Sequence, residues 1–269
     1  MNKINILKVP FSKGGLGKTE GTYKAPDLII NFFNNLYLKE NQKKSLTITE
    51  VKIDNSNVSV SYDNIFLNVN DLIKNNGNNL NIVLGGDHSI TYPSFKSFFK
   101  NYENAGIIIF DAHPDLMNYT TIHTHEDYLR KLIEDNYLKK ENIVLIGIRN
   151  IHSIEKEYLI KNKIKYYSYE NIFNLGIENI CDEVMTKARC WSNLYISIDI
   201  DALDPSICPA TNYPEPGGLN INELFYFIKR LKFLKKLKML DIVEVDPTKD
   251  LNDITSITAA KIIDKFITS

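Results

Sequence analysis

Asp111-Ala112-His113-Pro114-Asp115 packs three metal-ligand side chains into five residues, directly after the apolar run Gly106-Ile107-Ile108-Ile109-Phe110. Carboxylates are costly to bury without a partner, and a divalent cation is the simplest partner that satisfies all three. Two further blocks repeat the arrangement. Ile82-Val83-Leu84 runs into Gly85-Gly86-Asp87-His88-Ser89, and Tyr195-Ile196-Ser197-Ile198 runs into Asp199-Ile200-Asp201. The donors are His88, Asp111, His113, Asp115, Asp199 and Asp201, four carboxylates and two imidazoles. A single zinc site takes three or four ligands, often with sulfur. Six ligands dominated by oxygen suit two cations of the Mn2+ type bridged by carboxylates. On a strand end, residues i and i+2 face the same side, which explains the D-x-H and D-x-D spacings. Taken singly, each block has a plainer reading as a loop residue, a surface turn or a helix cap. Their recurrence at three strand ends is what favours a metal centre.

Short apolar runs alternate with amphipathic stretches. Strands are predicted over residues 4–9, 48–53, 81–85, 106–111, 143–148, 164–168, 194–199 and 239–244. Helices are predicted over 26–40, 92–103, 125–135, 152–162, 176–190, 221–236 and 255–267. The strand runs are nearly continuous Ile, Val, Leu and Tyr, as in a parallel sheet covered on both faces. Alternation of this kind implies βαβ units with right-handed crossovers. In helix 221–236, Ile221, Leu224, Phe225, Ile228, Leu231 and Leu234 line one side, and Asn220 or Asn222 could cap its start. No Pro-, Gly- or Ser-rich linker divides the chain, so one domain over 1–269 is expected, and residues 41–80 carry little signal. In such sheets ligands bind beyond the carboxyl ends of the strands. The three blocks should therefore converge there.

Composition narrows the function classes. The chain has 269 residues, 43% of them hydrophobic, with 32 basic and 33 acidic residues, enough for a large core and without the basic excess that nucleic acid demands. Cys181, Cys190 and Cys208 form no CxxC pair and are odd in number, which points to free thiols in a reducing cytoplasm. The start, Met1-Asn2-Lys3-Ile4-Asn5-Ile6-Leu7, lacks the long apolar stretch of a signal peptide, and no run is long enough for a membrane span.

These residues resemble the ureohydrolases: arginase, agmatinase, formimidoylglutamase and their relatives. Gly85 to Ser89 is similar to the family's GGDHS block, Asp111 to Asp115 to its DAHxD block, and Ser197 to Pro205 to its SxDxDxxDP block. Pro214-Glu215-Pro216-Gly217-Gly218-Leu219, Glu244-Val245-Asp246-Pro247, Gly147-Ile148-Arg149 and Thr258-Ala259-Ala260 also match, and the similarity spans roughly residues 80 to 265. The resemblance implies a three-layer α/β/α sandwich with a doubly wound, mostly parallel sheet, the arginase-like fold. It implies two Mn2+ ions per chain and assembly into trimers or hexamers. His88, Asp111, Asp115 and Asp199 would hold one ion, and Asp111, His113, Asp199 and Asp201 the other, with Asp111 and Asp199 bridging. The chemistry implied is hydrolysis of a guanidino or formimino C–N bond, releasing urea or formamide and an amine. Two cations sharing a water lower its pKa enough to attack that poor electrophile. Asp115 would orient the nucleophile, and Glu244 would bind the guanidinium group. His125 would act as general acid or proton shuttle, with His123 as its competitor. Glu126 stands where the family usually has glycine, and Glu126 or Asp127 could instead cap the following helix. His123 and Glu215 are expected beside the substrate. His152 has no ligand-like neighbour and reads as structural or exposed.

Arginases carry a Ser-Gly-Asn segment before the loop histidine, whereas this chain has Asn118-Tyr119-Thr120-Thr121-Ile122-His123. Together with Pro214-Glu215-Pro216 this tilts the reading toward an agmatinase-like enzyme, with arginase as the alternative. Two other classes compete. Lys13-Gly14-Gly15-Leu16-Gly17-Lys18-Thr19 looks like a deviant phosphate-binding loop of an ATPase, although Gly21 and Pro26 follow where a helix should begin at once. A deacetylase of the same fold would use one zinc, leaving His88, Asp115 and Asp201 surplus.

Overall fold

The apolar runs of the inner strands become strands because each buries both faces. Ile107 and Ile109 enter one hydrophobic core while Ile108 and Phe110 enter the other. The computed structural model describes residues 4–37, 46–77 and 79–268. Its described strands are β1 (Ile4–Lys8), β2 (Leu46–Glu50), β3 (Asn81–Leu84), β4 (Ala105–Phe110), β5 (Ile143–Ile148), β6 (Lys165–Ser168), β7 (Asn193–Asp199) and β8 (Leu237–Val243). They form one sheet in the order β2-β1-β3-β8-β7-β4-β5-β6, every neighbouring pair parallel.

The helices are α1 (Ala25–Tyr37), α2 (Val58–Asn76), α3 (Thr91–Asn101), α4 (Tyr128–Glu134), α5 (Ser153–Asn162), α6 (Tyr169–Leu175), α7 (Ile177–Arg189), α8 (Ile221–Lys232) and α9 (Ile254–Ile267). On one face α1, α6, α7, α8 and α9 cover the sheet through Ile29, Phe33, Ile172, Val184, Phe227 and Ile262. On the other α2, α3, α4 and α5 cover it through Ile65, Val69, Phe95, Phe98, Leu132 and Leu159. This is the three-layer α/β/α arrangement that the strand pattern implied.

Several boundaries differ from the sequence reading, each for a physical reason. Helix α2 lies in the stretch that carried no clear signal. Its tyrosine, serine and asparagine residues dilute the apolar stripe, yet Ile65, Val69, Leu72 and Ile73 bury and the Asn57 side chain accepts from the Val60 amide at 3.2 Å. The segment expected as one helix from 176 is preceded by the short α6, whose end is marked by Gly176 at φ 83°. Asn220 caps α8 by accepting from the Asn222 and Glu223 amides, so Asn222 is a donor to the cap. Helix α8 stops at Lys232, short of 236. Helix α4 begins at Tyr128, leaving His125 in the loop before it. Asp127 precedes α4 without bonding its amides. Its carboxylate instead accepts from the Thr124 amide and hydroxyl at 2.7 and 2.8 Å. The predicted end of the first helix, residues 38–40, lies outside the described residues.

The strand order matters most for the site. Strands β3, β8, β7 and β4 are adjacent at the sheet centre. The chain leaves β3, enters β4 three positions away, and later fills the gap with β7 and β8. The carboxyl ends of these four strands carry His88, Glu244, Asp199 with Asp201, and Asp111 to Asp115. Sheet order thus gathers blocks up to 156 residues apart.

Candidate metal centre

His88 lies at the bottom of the cleft, 1% exposed. Its Nδ1 sits 3.2 Å from Asp111 Oδ2, 3.1 Å from Asp115 Oδ2 and 3.2 Å from Asp199 Oδ2. His113 Nδ1 lies 3.1 Å from Asp201 Oδ2 and 3.6 Å from Asp111 Oδ1. Two ligand groups result, His88-Asp111-Asp199 and Asp111-His113-Asp201, whose donor atoms lie within 4.8 Å of one another. Asp111 belongs to both. Asp115 adjoins the first through His88, and Asp199 Oδ1 accepts from the Asp201 amide at 2.9 Å. All six donors predicted from sequence are therefore brought together, including the three that a single-zinc site would leave over.

The fit to cations rests on polar atoms left without partners. His88 Nδ1 and Asp111 Oδ2 are buried with no hydrogen bond. Burial and the like charges of Asp111 and Asp201 drive the Asp199 pKa well above its usual range. Asp115 is raised well above its range in the same way, by burial and then Asp111, and Asp201 is raised too. Burial alone would lower the His88 pKa, but Tyr128 and the surrounding carboxylates outweigh it and raise the value strongly. The cluster demands positive charge at the point where these atoms meet. Asp115 holds a left-handed backbone at φ 53°, a conformation a non-glycine residue keeps only when its surroundings enforce it.

A second group lies beside the cluster. Glu244, also left-handed at φ 63°, follows β8 and donates its amide to the Gly86 carbonyl at 2.8 Å. Gly86 is required here, since a Cβ would meet the Phe11 carbonyl oxygen at 1.8 Å. Glu244 Oε1 accepts from the His88 amide at 2.8 Å and lies 3.1 Å from His125 Nδ1. Glu244 Oε2 and His125 Nε2 are both buried without a hydrogen bond, and His125 Nε2 lies 3.9 Å from Glu126 Oε1. Burial lowers the His125 pKa, but the hydrogen bond and charge of Glu244 win and push it up to about 9. A pocket of about 240 Å3 opens onto these groups, lined by His113, Asp115, Met117, His125, Glu126, Asn150, His152, Glu155 and Tyr213.

His123 does not share that pocket. Its ring is sandwiched between Tyr62 and Tyr92, both centroids at 4.1 Å, with Nε2 3.2 Å from the Ser89 carbonyl oxygen. It packs the wall behind the site, which corrects its expected place beside the substrate. Glu215 stands at the rim, its Oε1 accepting from Asn150 Nδ2 at 2.6 Å and lying 3.5 Å from His113 Nε2. His152 caps α5. The phosphate-loop reading fails on geometry. Residues 13–19 lead into a short 3-10 turn, Glu20–Lys24, rather than an α-helix. The Gly14 amide donates to Asp87 Oδ2 at 2.8 Å, and the Thr19 hydroxyl donates to the Ser12 carbonyl. The loop instead supports the site, its Gly14 carbonyl accepting from the His125 amide at 3.1 Å.

Several residues were given no role from the sequence. Arg149 threads its guanidinium among the main-chain carbonyls of Gly147, Asp201 and Glu215, tying two site loops together. Tyr213 packs between His113 and His125, at 6.1 and 5.5 Å. Asp241 lies inside β8, and the Tyr128 ring lies tilted against the His88 ring, centroids 4.5 Å apart. A carboxylate between the apolar pairs Met239-Leu240 and Ile242-Val243 marked Asp241. Tyr128 carried no local signal.

Fold and cluster together define a parallel α/β protein with a candidate two-cation centre beside a carboxylate–histidine pair. The Arginase family model matches residues 2–268, and the chain belongs to the Arginase family. The formimidoylglutamase of Halalkalibacterium halodurans is 31% identical over 98% of this chain and 86% of its own length. An arginase of Staphylococcus aureus is 30% identical over 98% of this chain and 96% of its own. The solved formimidoylglutamase of Bacillus subtilis superposes with a TM-score of 0.92 at 25% identity, covering 99% of this chain and 86% of that one.

Proposed function

We propose that this chain is a binuclear-manganese amidinohydrolase that cleaves the C–N bond of a guanidino substrate, agmatinase-like in preference, releasing urea and an amine. The observation that carries the reading is the pairing of buried Glu244 Oε2 and His125 Nε2, neither hydrogen-bonded, beside five converging metal donors and Asp115 against one of them. Two Mn2+ ions would be held by His88, Asp111, Asp115 and Asp199, and by Asp111, His113, Asp199 and Asp201, and would supply an activated water at neutral pH. Glu244 takes a guanidinium N–H on its free oxygen, a charge-assisted bond that fixes the carbon in the cleft. Asp115 orients the attacking water through its carboxylate. His125, protonated at neutral pH with a pKa of about 9, gives its Nε2 proton to the departing amine.

The pocket wall bears on the substrate. Beside the proposed ligands His113 and Asp115, the carboxylates Glu126 and Glu155 line it, against one ammonium at its edge, Lys18 Nζ, 5.0 Å from the ring of the lining Tyr213. Such a wall favours a cationic or neutral tail over one carrying carboxylates, which supports agmatine-like compounds over arginine or an N-formimidoyl amino acid. Three unpaired cysteines suit a reducing cytoplasm, and no described helix is long and apolar enough to cross a membrane. A single catalytic domain over 1–269 belongs to the same reading, and trimeric or hexameric assembly is carried over from the resemblance alone.

The test is product release from agmatine, arginine and N-formimidoyl-glutamate with added Mn2+, with metal analysis of the same sample. Agmatine should be turned over fastest. Arginine better by about tenfold, a difference of about 1.4 kcal/mol at the transition state, would reject the agmatinase preference.

A further inference from the structure

Asp241 is a carboxylate in the middle of a buried central strand, with no exposure. Three hydroxyls answer its charge. Thr91 and Tyr195 donate to Oδ2 at 2.8 and 2.6 Å, and Ser197 donates to Oδ1 at 2.5 Å. Ser197 Oγ also lies 2.9 Å from His88 Nε2, as does the Tyr128 hydroxyl. The Ser197 hydrogen is committed to Asp241, so toward His88 its oxygen can only accept. His88 Nε2 must then carry hydrogen, so when a cation replaces the proton between Nδ1 and Asp111, Asp115 and Asp199, it is Nδ1 that offers the lone pair.

We infer that Asp241 is a positioning residue. Acting through Ser197, it holds His88 in the tautomer whose Nδ1 can ligate a cation. The inference rests on the metal-centre reading above and deepens it. A buried carboxylate without a cation against it is costly. Its retention is accounted for by the direction it imposes on the hydrogen-bond chain, because the second ring nitrogen of a ligating histidine needs an acceptor.

The direction can be reversed by one substitution. In Asp241→Asn, the two donors Thr91 and Tyr195 keep the amide oxygen at the Oδ2 position, which turns the NH2 toward Ser197. Ser197 then accepts from the amide and donates to His88 Nε2, which moves the ring hydrogen to Nδ1 and blocks the cation. Mn2+ binding, followed by the electron paramagnetic resonance signal of the free ion, should be about 10- to 100-fold weaker in Asp241→Asn. Adding Ser197→Ala removes the reversed donor, so the double variant should bind more tightly than Asp241→Asn alone. Tyr128→Phe should cost less than Asp241→Asn. Should Asp241→Asn fail to fold, Ser197→Ala against Ser197→Thr carries the test, with binding weakened in the alanine variant and kept where the hydroxyl remains. Unchanged Mn2+ affinity in Asp241→Asn and Ser197→Ala, or simple addition of their losses in the double variant, would overturn the inference. Wild-type protein that takes up no Mn2+ would overturn the metal reading itself and the inference with it.

Discussion

Glu244 illustrates how much a single side chain is asked to do. One oxygen fastens the His88 amide and His125, while the other stands free in a buried site. Replacing it by glutamine keeps the shape and removes the charge that pairs with a guanidinium. Removing one partner of a buried charge pair costs about 2–5 kcal/mol. Glu244→Gln should therefore raise KM for agmatine by about two orders of magnitude. Manganese content should stay at the wild-type level, because Glu244 belongs to neither ligand group. Steady-state kinetics with metal analysis on the same preparation checks both. The free oxygen of Glu244 was not legible in the sequence, which showed only a carboxylate after an apolar strand.

At the scale of elements, the wall that α2 and α3 build behind the site makes a pH prediction. His123 is held neutral between Tyr62 and Tyr92, and burial pushes its pKa down from the usual 6.5 to about 3. The folded form thus binds its proton less readily than the unfolded chain. Its contribution to stability is complete above pH 6.5 and is lost as pH falls through the window toward 3. His123→Phe keeps an aromatic ring in the stack and removes the titration. Its unfolding midpoint should fall less steeply than wild type between pH 6.5 and 3, and denaturation curves across that range measure the difference. The strands were legible because a sheet covered on both faces requires continuous apolar runs. Helix α2 was not, since its polar residues blur the periodicity and its burial is decided by α3 and the sheet. The start of α4 was misjudged by three residues because Asp127 bonds Thr124 rather than the helix.

For the whole molecule, the carboxyl ends of four central strands form one acidic cluster, whose repulsion opposes folding and which the two proposed cations would neutralise. Mn2+ at about 100 times its dissociation constant should stabilise the fold by about 2.7 kcal/mol per site. Chelation should correspondingly lower the melting temperature by several degrees, and readdition of Mn2+ should restore it. A melting temperature indifferent to chelator in freshly metal-loaded protein would contradict the cluster's role.

The amino-acid sequence by itself determined the chemistry of the donors and the layered α/β architecture. Ligand types are local, and the apolar periodicity of a doubly covered parallel sheet is written strand by strand. It did not determine which of two neighbouring loop histidines faces the pocket. His123 and His125 are two residues apart and alike in type, and only the packing of Tyr62 and Tyr92 around one and Glu244 beside the other separates them. Nor could it show the Asp241–Ser197–His88 chain, whose members come from two strands and the turn after a third, brought side by side by the order of the sheet. Hydrogen-bond direction depends on which groups meet, and that is settled only when the strands are assembled.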